Sequence, residues 1–171
     1  MEYLKLNVKV QLRIETLNDK TQTVDFDCGD NNLNDYIKGR ALKEQAVGAC
    51  VVHCVVDANN KLYGFITLTN SVVERKGSGS KLKKHPYPTI PSVLIGRLAV
   101  DKVTRKEKWR LGSKLIAHAT LIAQEMAKSV GVRALTVDAV RDVVSFYQKL
   151  GFHTIKDVEG KPTVLMTLPL P

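Results

Sequence analysis

Cysteine is scarce in this chain, with three among 171 residues. Cys28, Cys50 and Cys54 make an odd count without a CxxC pair, which speaks against a disulfide framework and against a zinc site of the usual spacing. Cys50 and Cys54 fall in the β-branched run "CVVHCVV", where they read as small core hydrophobes of a buried strand. His53 faces the other side of that strand, so no metal is expected. Long apolar runs are missing too. The N-terminal "MEYLKLNVKVQLRIE" alternates charged and apolar residues, unlike a signal peptide, and no later segment is apolar enough to span a bilayer. The expectation is a cytoplasmic protein without membrane partners. Acidic residues are the minority, 17 Asp+Glu against 26 Lys+Arg, for a net charge of +9. That balance suits an anionic partner such as nucleic acid or a phosphorylated cofactor, and equally a solvated basic face.

Hydrophobic content of 44% and charge content of 25% describe an ordinary globular protein, long enough for one continuous core. "VQLRIETL" reads as a first strand. "NNLNDYIKGRALKEQA" places Leu33, Tyr36, Ile37 and Ala41 at helical spacing behind Asp30 or Asn31 as cap. "CVVHCVVD" and "LYGFITLT" predict a hairpin across "ANNK". "SVVERKGSGSKLKKHPYPTIPS" then predicts a long exposed basic excursion. "VLIGRLAV" is almost wholly apolar and a candidate for the most buried strand, with Gly96 marking a bulge or a close backbone approach.

The stretch "TRKEKWRLGSKLI" turns from a basic loop into an amphipathic helix over 111–128, with Leu111, Leu115, Ala119 and Ala123 on one face. Such a helix start can receive an anion on its free N–H groups, although Gly112 is the one glycine present. "RALTVDA" follows as a strand, then "DVVSFYQKLGF" as a short helix with Val143, Phe146 and Leu150 on one face. Tyr147 falls one step off that face, and Gly151 is placed to cap the helix. "FHTI" and "PTVLMTL" close the chain as two strands around a turn with Glu159 and Gly160. The order is α/β with a largely antiparallel start.

Three of these segments, "IGRLAVD", the basic turn into "LGSKL", and "SFYQKLGF", resemble the GNAT superfamily of N-acetyltransferases. "FDCGDNNLNDYI", "LYGFITLTNSVVE" and "YPTIPSVLIGRLAVD" are similar to one branch of it, the toxins of toxin–antitoxin pairs that acetylate aminoacyl-tRNA. The resemblance runs from about Val24 to the C-terminus. It implies a single GNAT-like α/β domain over residues 1–171, with a mixed, mostly antiparallel central sheet, a splayed bulged strand, and flanking helices. It also implies acetyl-coenzyme A as co-substrate, its pantetheine arm pairing with backbone near Leu98, Ala99 and Val100. The family's phosphate cradle, (Q/R)xxGxG or A, falls on Glu107 to Gly112. The first position is therefore acidic and the fourth is Arg110. Leu111, Gly112 and Ser113 complete the implied cofactor site, and Arg110, with Lys106, Lys108 and Lys114 nearby, can supply charge-assisted hydrogen bonds in place of lost backbone contacts, provided it adopts an ordinary helical φ.

The resemblance makes Tyr147 the general acid, a phenol protonated at neutral pH that can donate to the departing thiolate. No carboxylate stands out as base, Glu74 and Asp138 being loose candidates, which favours an α-amine acceptor over a lysine amine. Two basic runs, one with Lys83 and Lys84 and one with Lys38 and Arg40, suit a tRNA backbone, and Arg97 suits the substrate mouth. The implied function is acetyl transfer to the α-amine of aminoacyl-tRNA, inhibiting translation, by a homodimer neutralised by a small DNA-binding antitoxin. Two alternatives are an acetyltransferase for small amines or protein N-termini, and a noncatalytic GNAT-like module with a degenerate cofactor loop.

Overall fold

The computed structural model describes residues 10–171; residues 1–9 of the alternating N-terminal stretch lie outside it. Among the described residues the strands are β1 Arg13–Thr16, β2 Val51–Val56, β3 Leu62–Glu74, β4 Thr89–Val100, β5 Ala134–Val140, β6 His153–Asp157 and β7 Thr163–Pro169. They form one seven-stranded sheet in the order β1-β2-β3-β4-β5-β7-β6. Every neighbouring pair is antiparallel except β4 and β5. The helices are α1 Asn31–Asp35, α2 Ala41–Ala46, α3 Lys102–Lys106, α4 Leu111–Met126 and α5 Val144–Lys149. A π-helical segment, Tyr36–Arg40, joins α1 to α2, so the helix read from "NNLNDYIKGRALKEQA" is continuous but underwound at its centre. Asp30 is its cap, accepting from Asn32 and Leu33 N–H.

Residue parity along the sheet sorts two cores onto its faces, because successive side chains of a strand point to opposite sides. Val52, Cys54, Val56, Phe65 and Ala99 pack with Tyr36, Ile37 and Ala41 on the α1–α2 face. Val55, Ile66, Leu68, Val93 and Ile95 pack with Leu111, Leu115, Ile116, Ala119 and Tyr147 on the α4–α5 face. Leu115 is fully buried there, and truncating it to Ala would cost about 2–5 kcal/mol.

Gly96 breaks the parity of β4. Thr67 pairs with Arg97 and Leu68 with Ile95, leaving Gly96 without a partner on β3. The extra residue moves Leu98 and Val100 onto the same face as Val93 and Ile95 and sends Ala99 to the opposite one, as a one-residue slip must. A Cβ at Gly96 would come 3.0 Å from Thr67 Oγ1, so close approach and bulge both hold. Beyond the bulge β4 parts from β5: their pairing covers Ser92–Ile95 against Ala134–Val137 and stops. The remainder of each strand has an edge open toward the other.

Three expectations from sequence are corrected. The excursion after β3 spans only residues 75–88, because Val73 and Ile90 extend the strands to bury themselves with Leu82 and Ala134. That loop is braced, with Arg75 Nη1 donating to the His85 carbonyl and Ser78 Oγ to the Arg75 carbonyl, both at 2.7 Å. β4 is not the most buried strand: Leu94, Leu98 and Val100 are half-buried, whereas Ala134 to Val137 of β5 are buried without interruption. In the last helix Tyr147 is the residue facing inward and Val143 is exposed, because Val143 sits in a 3-10 turn that precedes α5.

Candidate active site

The splay between β4 and β5 opens into a groove of ≈ 560 Å³, lined by Leu98 and Val100 from β4, by Thr104, Arg105, Lys108 and Arg110 from the connecting segment, by Leu111, Gly112 and Ser113 at the start of α4, and by Val143, Phe146 and Tyr147. Its floor is apolar and its rim carries Arg105, Lys108 and Arg110. At that rim α4 begins without a side-chain cap. The N–H groups of Leu111, Gly112 and Ser113, all residues that line the groove, are therefore left without a side-chain cap at the positive end of a sixteen-residue helix dipole.

The turn before α4 is held from outside. Asp101 caps α3, accepting from Val103 N–H at 2.9 Å, and accepts a second bond from Asp27 N–H at 3.2 Å. Lys102 pairs with Asp27, and Arg105 donates to the Cys28 carbonyl. The Lys102 ammonium, followed by Asn34 and Gly29 as donors, holds the Asp27 carboxyl well below the usual carboxylate range. Trp109 closes the turn against Tyr63, ring centroids 5.6 Å apart. α3 and these ties fix the stretch between Asp101 and Gly112.

Arg110 departs from expectation. It does not adopt an ordinary helical φ; φ is +56° and ψ +34°, the left-handed region, and Lys108 is also left-handed at φ +57°. Glycine populates that region freely and other residues pay sterically, so Arg110 keeps the backbone shape of the missing glycine while adding a guanidinium. Gly112 is required differently, since a Cβ there would meet the Phe146 ring at 3.2 Å. Helix start and groove wall touch at that point.

Tyr147 is 5% exposed, packed edge-on against Phe146 and Phe152. Its hydroxyl makes no hydrogen bond among the described residues and borders the groove. Burial pushes its pKa up to about 12, so the phenol is neutral at any physiological pH.

Of the residues expected from sequence, Leu98, Val100, Lys108, Arg110, Leu111, Gly112, Ser113 and Tyr147 meet in this groove. Ala99 buries its side chain on the opposite sheet face, leaving only its backbone on the splayed segment, and Lys106 is exposed outside the lining. Thr104, Arg105, Val143 and Phe146 line the groove and were missed. Arg105 stands in the same basic run and Phe146 in the same "FYQKLGF", so the signal was adjacency. Arg97 lies over the Tyr36 ring, its guanidinium carbon 3.8 Å from the centroid, with Glu44 3.8 Å away and Arg40 on the same ring at 5.5 Å. This basic group sits behind the bulge, on the sheet face opposite the groove. Lys83 borders a second cavity with Glu74, Arg75 and Lys76, at the far end of the β3–β4 ribbon. Seven strand residues, about 23 Å, separate it from the bulge. Glu74 is thereby distant from Tyr147, while Asp138 is exposed one residue past the last β4–β5 pair.

No protein-family model matches the chain. It is 31% identical over 150 residues to a tRNA-acetylating toxin of Mycobacterium tuberculosis, covering 86% of this chain and 84% of that protein. A tyrosine-to-phenylalanine mutant of KacT superposes with a TM-score of 0.83 at 32% identity, over 94% of this chain and 95% of the other. AtaT complexed with acetyl-methionyl-tRNAfMet superposes with a TM-score of 0.82 at 30% identity, over 93% and 95%. AtaT is also solved with acetyl-CoA and the C-terminus of the antitoxin AtaR, and KacT as the KacTA–DNA complex.

Proposed function

Since the chain belongs to the GNAT-type tRNA-acetylating toxins, we propose that it transfers acetyl from acetyl-CoA to the α-amine of an aminoacyl-tRNA and so blocks translation. The observation that carries this reading in the molecule itself is one groove joining an open strand edge, an uncapped helix start and a buried phenol. The residues fit the co-substrate: an amide-bearing arm can pair with the free edge at Leu98 to Val100, and a pyrophosphate can meet the N–H groups of Leu111, Gly112 and Ser113 with Lys108 and Arg110 beside them. When bound, acetyl-CoA supplies the acetyl thioester and its departing thiolate.

Tyr147 is the general acid of this proposal. A phenol held neutral to about pH 12 is a donor throughout the working range, and a thiolate formed in the same apolar groove suffers the same desolvation, which raises its own proton affinity. Among the described residues no carboxylate lines the groove. The acceptor must therefore arrive with an amine already largely neutral, which suits an α-amine next to an ester rather than a lysine. Arg40 and Arg97 behind the bulge, Lys38 on the same π-helical segment as Arg40, and Lys83 and Lys84 on the braced loop hold the tRNA backbone, and their separation suits a long polyanion better than a small amine. The chain works in the cytoplasm as a homodimer, and a small DNA-binding antitoxin neutralises it.

The test is incubation of charged tRNA with the protein and acetyl-CoA, followed by mass analysis of the released aminoacyl group. The expected result is one added acetyl per aminoacyl group. Reversing Lys83 and Lys84 to Glu should raise the apparent KM for charged tRNA and flatten its salt dependence, with acetylation of a small amine unchanged. Failure to acetylate any aminoacyl-tRNA while a small amine is acetylated would overturn the reading.

A further inference from the structure

His53 and His118 stand 65 positions apart, one on β2 and the other on α4, yet their rings meet. Nε2 of His118 lies 3.2 Å from Nδ1 of His53, with ring centroids 4.9 Å apart and planes at 67°. Both rings are half-buried. Burial lowers both pKa values, that of His53 to about 4 with the neighbouring His118 adding to the effect. At neutral pH each ring therefore keeps one lone pair.

Only one N–H fits between the two nitrogens. The pair either forms a single N–H···N bond or, with that proton on an outer ring nitrogen, turns two lone pairs toward one point. A tetrahedral ion with Zn–N bonds of 2.0–2.1 Å requires an N···N separation of about 3.3–3.4 Å, and cis ligands of an octahedron require about 2.9 Å. The observed 3.2 Å lies nearer the tetrahedral value. Neutral imidazole is the donor that zinc, copper and nickel prefer.

We propose that Nδ1 of His53 and Nε2 of His118 form a two-imidazole site for a tetrahedral divalent transition ion, for which zinc is the probe. Water completes the shell; His53, though not His118, lines a groove of ≈ 410 Å³ with Leu68, Val93 and Met126, through which water can reach its side of the pair. On binding, the shared proton moves to the outer nitrogen of the same ring, so both imidazoles stay neutral and no net proton is released near pH 7. Among the described residues no group of three or more His, Cys, Asp or Glu is placed to hold an ion. The protein thus supplies two ligands, and the site binds more weakly than a closed four-ligand centre. Cys50 borders the same groove, but its sulfur is engaged by the Tyr36 hydroxyl at 3.5 Å. The ion would tie β2 to α4, the helix whose first turn forms the rim of the active groove.

The test is calorimetric titration of the full chain with zinc chloride at pH 7.5 in a weakly coordinating buffer. One equivalent should bind to wild type. His53→Gln and His118→Gln should each weaken binding roughly tenfold or more, and Cys50→Ser should leave it within about threefold. A cobalt(II) titration of the wild type is independent of variant folding, and should give the intense visible bands of a four-coordinate ion. Absence of zinc binding, binding that survives both histidine variants, or the weak spectrum of six-coordinate cobalt would overturn the site.

Discussion

Helix α1 starts behind Asp30, whose Oδ1 accepts from Asn32 N–H at 2.8 Å and Leu33 N–H at 3.3 Å. Helix α4 starts behind Arg110, which caps nothing and sits in a left-handed conformation that disfavours it. The first start satisfies its own N–H groups and places a carboxylate against the positive dipole end, the arrangement that stabilises a helix. The second leaves N–H groups free and surrounds them with Arg105, Lys108 and Arg110, so cations face a positive dipole. A fold selected for stability alone would not keep the second arrangement, and an anion would satisfy its free N–H groups and neutralise the cations around them. The contrast separates a helix start that holds the chain together from one that waits for a ligand.

The largest expected effect tests whether the open start serves chemistry. Tyr147→Phe keeps the ring packing against Phe146 and Phe152 and removes the hydroxyl at the groove. Turnover should fall by roughly 10² to 10⁴ while affinity for acetyl-CoA holds. Because burial raises the phenol pKa to about 12, the acid stays protonated as pH rises. Wild-type turnover, measured where chemistry limits the rate, should show no fall between pH 8 and 10 from this group. A fall there would assign that limb to another residue, and full turnover in the variant would remove Tyr147 from the mechanism.

Next in size is converting the open start into a closed one. Arg110→Asp puts a carboxylate at the head of α4 in a left-handed backbone, and aspartate tolerates that region better than most residues. It removes one cation and puts a carboxylate where a phosphate would sit, so affinity for acetyl-CoA should drop about 10- to 100-fold, the worth of a charge-assisted contact. Thermal stability should hold or rise. Lost stability with retained affinity would mean that the α4 start is structural and the anion binds elsewhere.

Much of this contrast was legible in the sequence, and the remainder was hidden for physical reasons. Asp30 announces a cap because its side chain can act only locally, and Gly96 announces a bulge because few other roles suit a glycine inside an apolar strand. "SFYQKLGF" carried Tyr147 by resemblance, yet helical spacing put it off the inward face, since spacing cannot see that α5 starts only at Val144. The left-handed φ of Arg110 was invisible, because arginine does not signal that region and the turn imposes it through ties to Asp27, Cys28 and Tyr63. His53 and His118 were unreadable as a pair, being joined only when α4 packs across β2. Local chemistry is written in local sequence; what the fold imposes from a distance is not.

The smallest effects have opposite signs at the two starts. Asp30→Ala leaves two N–H groups uncapped and should lower stability by about 1 kcal/mol, without changing acetyl-CoA affinity, since Asp30 lies outside the groove. Arg110→Gly relieves a left-handed non-glycine residue and removes a cation from a positive helix end, and should raise stability by about 1 kcal/mol. For a chain of this length each change moves the melting temperature by about 2–4 °C. Affinity reads the other half of the contrast. Glycine restores close backbone approach but loses the guanidinium, so Arg110→Gly should bind acetyl-CoA more weakly than wild type and more tightly than Arg110→Ala, which loses the guanidinium and keeps the strain. Melting curves and cofactor titrations on the three variants decide the matter together. If Arg110→Ala and Arg110→Gly melt alike, the left-handed turn carries no strain, and the guanidinium alone accounts for arginine at that position.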